Sequence, residues 1–193
     1  MTILKILYWL GLVAEIVIRA PYQKTARTGP KTDQRVSRTE NFVLGLLYVA
    51  LIFIPLIYSV TNWLAFADYS LPVWMGWCGA LVLALSLFVF ARSHQDLKSN
   101  WSPTLEIRQD HSLVTDGIYR HIRHPMYASM GLGAIAQILL LQNWLAGPLN
   151  LLFFALFYFL RVPAEEKMML DTFGGQYREY MKTTGAVIPH LPR

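Results

Sequence analysis

Three apolar runs constrain this chain more than anything else in it: residues 42–67, 71–91 and 126–160, with a weaker run at 3–18. A bilayer core takes a helix of roughly 20 apolar residues, within a range of about 17–25. A soluble core built from 193 residues needs no runs that long. Composition agrees: 54% of residues are hydrophobic and 15% charged, against roughly 45–50% and ~25% in soluble domains.

The runs divide into helices by their punctuation. "FVLGLLYVALIFIPLIYSVTNWLAFA" (42–67) and "LPVWMGWCGALVLALSLFVFA" (71–91) each suit one span, the first with a kink expected at Pro55. Residues 126–160 are too many for one span. "QNWLAGP" (142–148) breaks them at Gly147-Pro148, a turn signal, so a tight hairpin is expected. The run at 3–18 is interrupted by Lys5 and Glu15. It has no small-residue cleavage pattern after it and carries Arg19, so it is expected to remain as a span rather than act as a leader. The expected fold is all-α: one polytopic integral membrane domain over 1–193 with about five transmembrane helices. Their approximate bounds are 3–20, 42–67, 71–91, 125–141 and 145–161. Segment 22–40 reads as a polar loop.

Charge orients this set. Of the 17 Lys and Arg residues, five fall in 20–40, five in 92–123 and five in 161–193, whereas the turns near 68–70 and 142–148 have none. With five spans all three basic segments lie on one side, which the positive-inside rule makes cytoplasmic. The C-terminus is then cytoplasmic, and segments 92–124 and 161–193 face the cytoplasm. The membrane would be the plasma membrane in a prokaryotic cell and the endoplasmic reticulum in a eukaryotic one. The net charge of +5 follows from this bias and from attraction to anionic lipid heads, at about 1 kcal/mol per basic residue. Membrane lipids are therefore expected partners, and nucleic acid is not, since that needs a basic face with aromatic platforms on a soluble module.

Chemistry is expected on the basic side, because the opposite turns are too short to build a site. In "RHIRHPMY" (120–127), Pro125 suits the first position of a helix. The helix N-terminus with its Arg and His residues would attract an anion, or else these side chains are interfacial anchors for lipid phosphates. In "LRVPAEEKMMLDTFGGQYREY" (160–180), Pro163 is expected to restart or kink the helix, and Gly174-Gly175 to end it. Arg161 and Glu165 are four apart and share a face. A metal site is not expected: Cys78 is the single cysteine and the five His residues form no HxxxH cluster. No G-x-S-x-G elbow exists for a serine hydrolase. Ser129, Gly131 and Gly133 form a small-residue face that reads as helix packing. Glu15 and Arg19, four apart near the end of the first span, read as a pair.

Taken together, "HSLVTDGIYRHIRHPMY", a following arginine, "EE" and "FGGQYREY" resemble the isoprenylcysteine carboxyl methyltransferase family and its relatives, the membrane phospholipid methyltransferases. The resemblance covers about 111–193, and five spans look like a short, prokaryotic-type member. It implies S-adenosylmethionine as cofactor, with S-adenosylhomocysteine as product. It also implies a lipophilic or prenylated substrate, entering from the bilayer, whose carboxylate is methylated. By position, His111, Ser112, Leu113 and Val114 match the stretch lining the nucleoside. Tyr119, His124, Pro125, Met126 and Tyr127 match further cofactor contacts, and Glu165 the cofactor-binding glutamate. Arg161 matches the arginine facing the methyl acceptor. The alternative acceptor is an amine lipid of the phosphatidylethanolamine type, whose ammonium would need a base, with Glu166 the candidate. A sterol-type NADPH reductase and a non-enzymatic scaffold are the readings from other classes.

Overall fold

The structure is a computed structural model that describes residues 3–25, 31–34, 37–102, 106–108 and 112–190. Helices dominate it, as the apolar runs require, and the run 126–160 forms two of them. The chain runs through α1 (Ile3–Thr25), a short strand β1 (Lys31–Gln34), α2 (Arg38–Tyr48), one π-helical stretch (Val49–Phe53) and α3 (Ile54–Val60). It continues through α4 (Val73–Leu97), β2 (Glu106–Arg108), a 3-10 turn (Gly117–Arg120), α5 (Pro125–Leu141), α6 (Pro148–Phe173) and α7 (Gly175–Thr183). Three helical stretches are long and apolar enough to cross a bilayer: Arg38–Val60, Val73–Leu97 and Pro148–Phe173. The shorter α5 has 17 residues, which at 1.5 Å per residue is about 25 Å.

Several boundaries differ from the sequence expectation. The run 42–67 leaves the helix at Val60, and 61–67 turns back over the bundle end through a 3-10 turn at Ala65–Ala67. Polar residues 22–25 and 38–40 are helical rather than loop, and Lys31–Gln34 pairs antiparallel with Glu106–Arg108. That two-stranded ribbon is the exception to an otherwise all-α fold. Pro163 neither ends nor restarts a helix: α6 passes through it to Phe173. Gly174, at φ +53°, then makes the break before α7.

Pro55 illustrates how such a bundle settles its backbone. Proline has no N–H, so the carbonyls of Leu51 and Ala50, its partners in α- and π-type bonding, lose their donor. Hydrocarbon offers no water to replace it. The Tyr8 hydroxyl of α1 donates to the Leu51 carbonyl, and Gln137 Nε2 of α5 donates to the Ala50 carbonyl at 3.0 Å. Gln137 is fully buried; its Nε2 also donates to the Ala146 carbonyl at 2.6 Å, and its Oε1 accepts from Asn150 Nδ2 of α6 at 2.7 Å. The kink expected at Pro55 is thus a π-bulge tied to three other helices.

The small residues do the close packing. Ser86 of α4 donates to the Ser129 carbonyl of α5 at 2.8 Å, and a Cβ on Gly133 would stand 3.3 Å from Ser86 Oγ. On the other side of α5, Gly131 backs onto the Phe154 ring of α6. At the end carrying few charges, Asn143 donates to Asp68 at 2.8 Å and to the Leu64 carbonyl at 2.7 Å, which stitches the two turns together. Trp63, Phe66, Trp74, Trp77 and Trp144 are exposed there, a belt suited to the bilayer interface. At the opposite end Arg19 rests its guanidinium 5.6 Å from the rings of both Phe90 and Trp101.

Candidate functional site

The N-terminal ends of α2 and α5 meet the middle of α6 around Tyr127, with Val43, Leu47, Phe157 and Val162 packed about it. That apolar cluster walls one side of a polar chain. Glu40 of α2 ion-pairs with Arg161 Nη1 of α6. Arg161 Nε donates to the Tyr127 hydroxyl at 3.0 Å, and that hydroxyl donates to Glu165 Oε2 at 2.7 Å. Glu165 Oε1 lies 3.6 Å from His124 Nδ1, and His124 Nε2 lies 3.1 Å from Glu166 Oε1. Arg123 closes the series, with Nη2 2.9 Å and Nε 3.3 Å from the same Glu166 oxygen. Acid and base alternate from end to end, with Tyr127 as the neutral link.

Local structure explains the convergence. Ser37 caps α2, its Oγ accepting from Glu40 N at 3.0 Å, and this holds Glu40 in the first turn with its carboxylate toward α6. Pro125 starts α5, so His124 is its cap residue and turns its ring back toward α6. Residues Glu165 and Glu166 are adjacent on α6 and reach the two opposite nitrogens of one imidazole. Behind them a C-terminal strap closes the junction. Arg123 N donates to the Gly185 carbonyl at 2.8 Å, His124 N to the Ala186 carbonyl at 2.9 Å, and Arg123 Nη1 to the carbonyls of Thr184 and Met181.

Burial alone would lower the His124 pKa, but the Glu165 and Glu166 carboxylates set against its two nitrogens outweigh it and raise it from 6.5 to about 9. His124 is therefore an imidazolium at neutral pH. The three cations are walled off and the two carboxylates of α6 are less so: the side chains of His124, Arg161 and Arg123 are 3%, 9% and 11% exposed, those of Glu165 and Glu166 27% and 20%, while Glu40 is buried with Arg161. The open face of the chain is acidic. This corrects the anion site expected at the start of α5. The His124 N–H is taken by the strap, Pro125 offers none, and the ring lies between two carboxylates.

The other expected residues fall in two groups. Tyr119 is buried beside the chain; its carbonyl accepts from the Tyr180 hydroxyl, and its own hydroxyl is 3.5 Å from the Ser93 carbonyl. Pro125 is buried and Met126 half-buried in the first turn of α5. Ser112, Leu113 and Val114 lie in the coil before Gly117, where Ser112 is tied to Asn100 through its N–H at 3.1 Å and its Oγ at 3.3 Å. His111 lies outside the described residues. The turn after this coil is specified by Gly117: its φ is +61°, and a Cβ there would fall 2.2 Å from Asp96 Oδ2, the atom that accepts from Ile118 N at 2.8 Å. His121, three residues before His124, is exposed.

Two participants carry no motif of the site in the sequence. Arg123 sits among basic neighbours that read as anchors, yet it is a structural clamp. Glu40 falls at the end of the segment that reads as a loop, yet it lies in the first turn of α2. The signal for it was present: Ser37-x-x-Glu40 directly before an apolar run is a helix-start pattern. The expected face-sharing of Arg161 and Glu165 is real, and Tyr127 bridges them.

Comparison with known proteins bears on this arrangement. The family model described as "Isoprenylcysteine carboxyl methyltransferase (ICMT) family" matches residues 77–171. A protein-S-isoprenylcysteine O-methyltransferase of Schizosaccharomyces pombe is 37% identical over 84 residues, 44% of this chain and 36% of that protein. One from Tribolium castaneum is 30% identical over 142 residues, 69% of this chain and 50% of that protein. The chain thus covers between about a third and a half of these relatives. The solved structure of the eukaryotic intramembrane Ras methyltransferase ICMT superposes with a TM-score of 0.55 at 25% identity, over 80% of this chain and 54% of that one. Glu40 lies outside the matched 77–171, whereas Arg123, His124, Tyr127, Arg161, Glu165 and Glu166 lie within it. By motif, by relatives and by fold, this integral membrane protein is similar to the isoprenylcysteine carboxyl methyltransferases.

Proposed function

We propose that the chain is an S-adenosylmethionine-dependent carboxyl O-methyltransferase acting on a lipophilic carboxylate of the prenylated-cysteine type. The observation that carries this reading is the open acidic face, Glu165 and Glu166, set beside a walled-off arginine. A cofactor with a sulfonium and an ammonium matches carboxylates and tyrosine rings, here Tyr119 and Tyr127. Ser112, Leu113 and Val114, with His111 before them, would line its nucleoside, and Pro125 and Met126 the adjoining wall. The cofactor supplies an electrophilic methyl group.

An acceptor carboxylate is already ionised at pH 7 and needs no base. Its oxygen gains the methyl carbon as that carbon leaves sulfur, giving a methyl ester and a neutral thioether, and no proton moves. Both reacting charges vanish, so excluding water favours the reaction. Arg161, at the end of the apolar part of α6, would orient the acceptor while its tail stays in lipid. Glu166 is poorly suited to be a base for an amine acceptor, since Arg123 and His124 both hold it as a charged partner. Arg161 by itself discriminates little against an ammonium, because Glu40 balances its charge. With α1 and α5 as additional passes, five spans put the site on the cytoplasmic side.

Calorimetric titration of S-adenosylhomocysteine into detergent-purified protein tests this, with NADPH as control. Micromolar binding that Glu165→Gln weakens at least tenfold, together with methyl transfer to a farnesylcysteine analogue, is the expected outcome. Binding of NADPH alone would put a reductase in its place.

A further inference from the structure

The buried pair of Glu40 and Arg161 assigns a role to a residue outside the matched 77–171. Glu40 is 6% and Arg161 7% exposed, and they are ion-paired across the α2–α6 contact. Glu40 is not there by accident of a mobile side chain. Ser37 caps its backbone, and Val43 and Leu47, the next buried positions of α2, pack with Phe157 and Val162 of α6. On the other side of the guanidinium, Tyr127 accepts from Nε. Arg161 therefore has a fixed orientation, and its charge is balanced before any substrate arrives.

That balance matters for a nucleophilic carboxylate. A bare buried guanidinium would bind an incoming carboxylate tightly, and it would draw off the electron density that must attack the methyl carbon. Such binding favours the ground state over the transition state. A guanidinium already sharing its charge with a resident carboxylate can still orient an incoming one, with a weaker field. We infer that Glu40 is a positioning residue for the proposed methyl transfer: it holds Arg161 in place and tempers its charge, so that the arginine orients the substrate carboxylate without quenching it. This rests on the methyltransferase reading above.

The test is steady-state kinetics of the 193-residue protein in detergent, with S-adenosylmethionine and N-acetyl-S-farnesylcysteine. Glu40→Gln is expected to lower kcat by ~10-fold and to lower KM for the acceptor by ~3-fold or more, because ground-state hold rises as transition-state stabilisation falls. The KM for S-adenosylmethionine should stay within ~2-fold. A merely structural Glu40 gives a different pattern. Loss of active protein lowers kcat with KM unchanged, and a displaced Arg161 raises KM; either result overturns the inference. Glu40→Asp keeps the charge one methylene farther off and should shift both constants in the same directions by less. If Glu40→Gln does not fold, Glu40→Asp alone decides, and a raised KM in it refutes the role. Wild-type protein that transfers no methyl group to this acceptor refutes the methyltransferase reading itself, and the inference falls with it. Wild-type activity with the wrong Glu40→Gln pattern refutes the inference only.

Discussion

His124 carries the most consequential single ionisation outside the spans. Its folded pKa of about 9 exceeds the ordinary 6.5, with Glu165 and Glu166 on its two nitrogens, Arg123 beside it in sequence and Tyr127 edge-on to its ring at 5.7 Å. A raised pKa means the folded state holds the proton more tightly. The resulting stability is fully present below pH 6.5 and is lost as pH rises through about 9, at most about 3 kcal/mol. Thermal unfolding between pH 6 and 10 should show the melting temperature falling across that window. In His124→Gln the fall should flatten; a wild-type profile flat from pH 6.5 to 9.5 would count against the imidazolium. The motif around His124 was legible in the sequence, but its charge state was not, because that depends on two carboxylates about forty positions away meeting one ring.

At the scale of elements, the packing of α5 decides more than its hydrophobicity. Its buried Gln137 is the hub that satisfies the backbone opened by Pro55 and joins α2–α3, α5 and α6. Gln137→Leu keeps the volume and removes the donors, leaving the Ala50 and Ala146 carbonyls and Asn150 without it. A cost of roughly 1–3 kcal/mol per buried group left unpaired should appear as a clear drop in detergent melting temperature. Gln137→Glu, which keeps an acceptor for Asn150, should lose less if the acid is protonated. Neither Pro55 nor Gln137 looks unusual by itself. Helix periodicity puts Pro55 in a span and Gln137 in another, and only their approach shows that the second repairs the first. Likewise Pro163 reads as a breaker, yet α6 continues through it to Phe173 because packing on both sides outweighs one lost bond.

For the whole molecule, the distribution of Lys and Arg and the aromatic belt point to opposite ends. Orientation follows: Asn62 should lie outside and Lys182 inside. Cys78 is the single cysteine, so a Cys78→Ser background accepts one new thiol at a time. In intact cells Asn62→Cys should react with an impermeant maleimide and Lys182→Cys only after lysis; the reverse pattern would invert the topology. The sequence by itself determined the membrane class, the helical fold, the charge asymmetry and the family resemblance, since each depends on residue type at short spacing along the chain. It also supplied Arg161, Glu165, Glu166 and His124 as candidates. Tertiary structure alone decided that these form one alternating series, that its exposed face is acidic, and that Glu40 ends it. Contacts between residues 40 and 161, or 123 and 184, are set by how helices pack, and no local pattern in the chain encodes them.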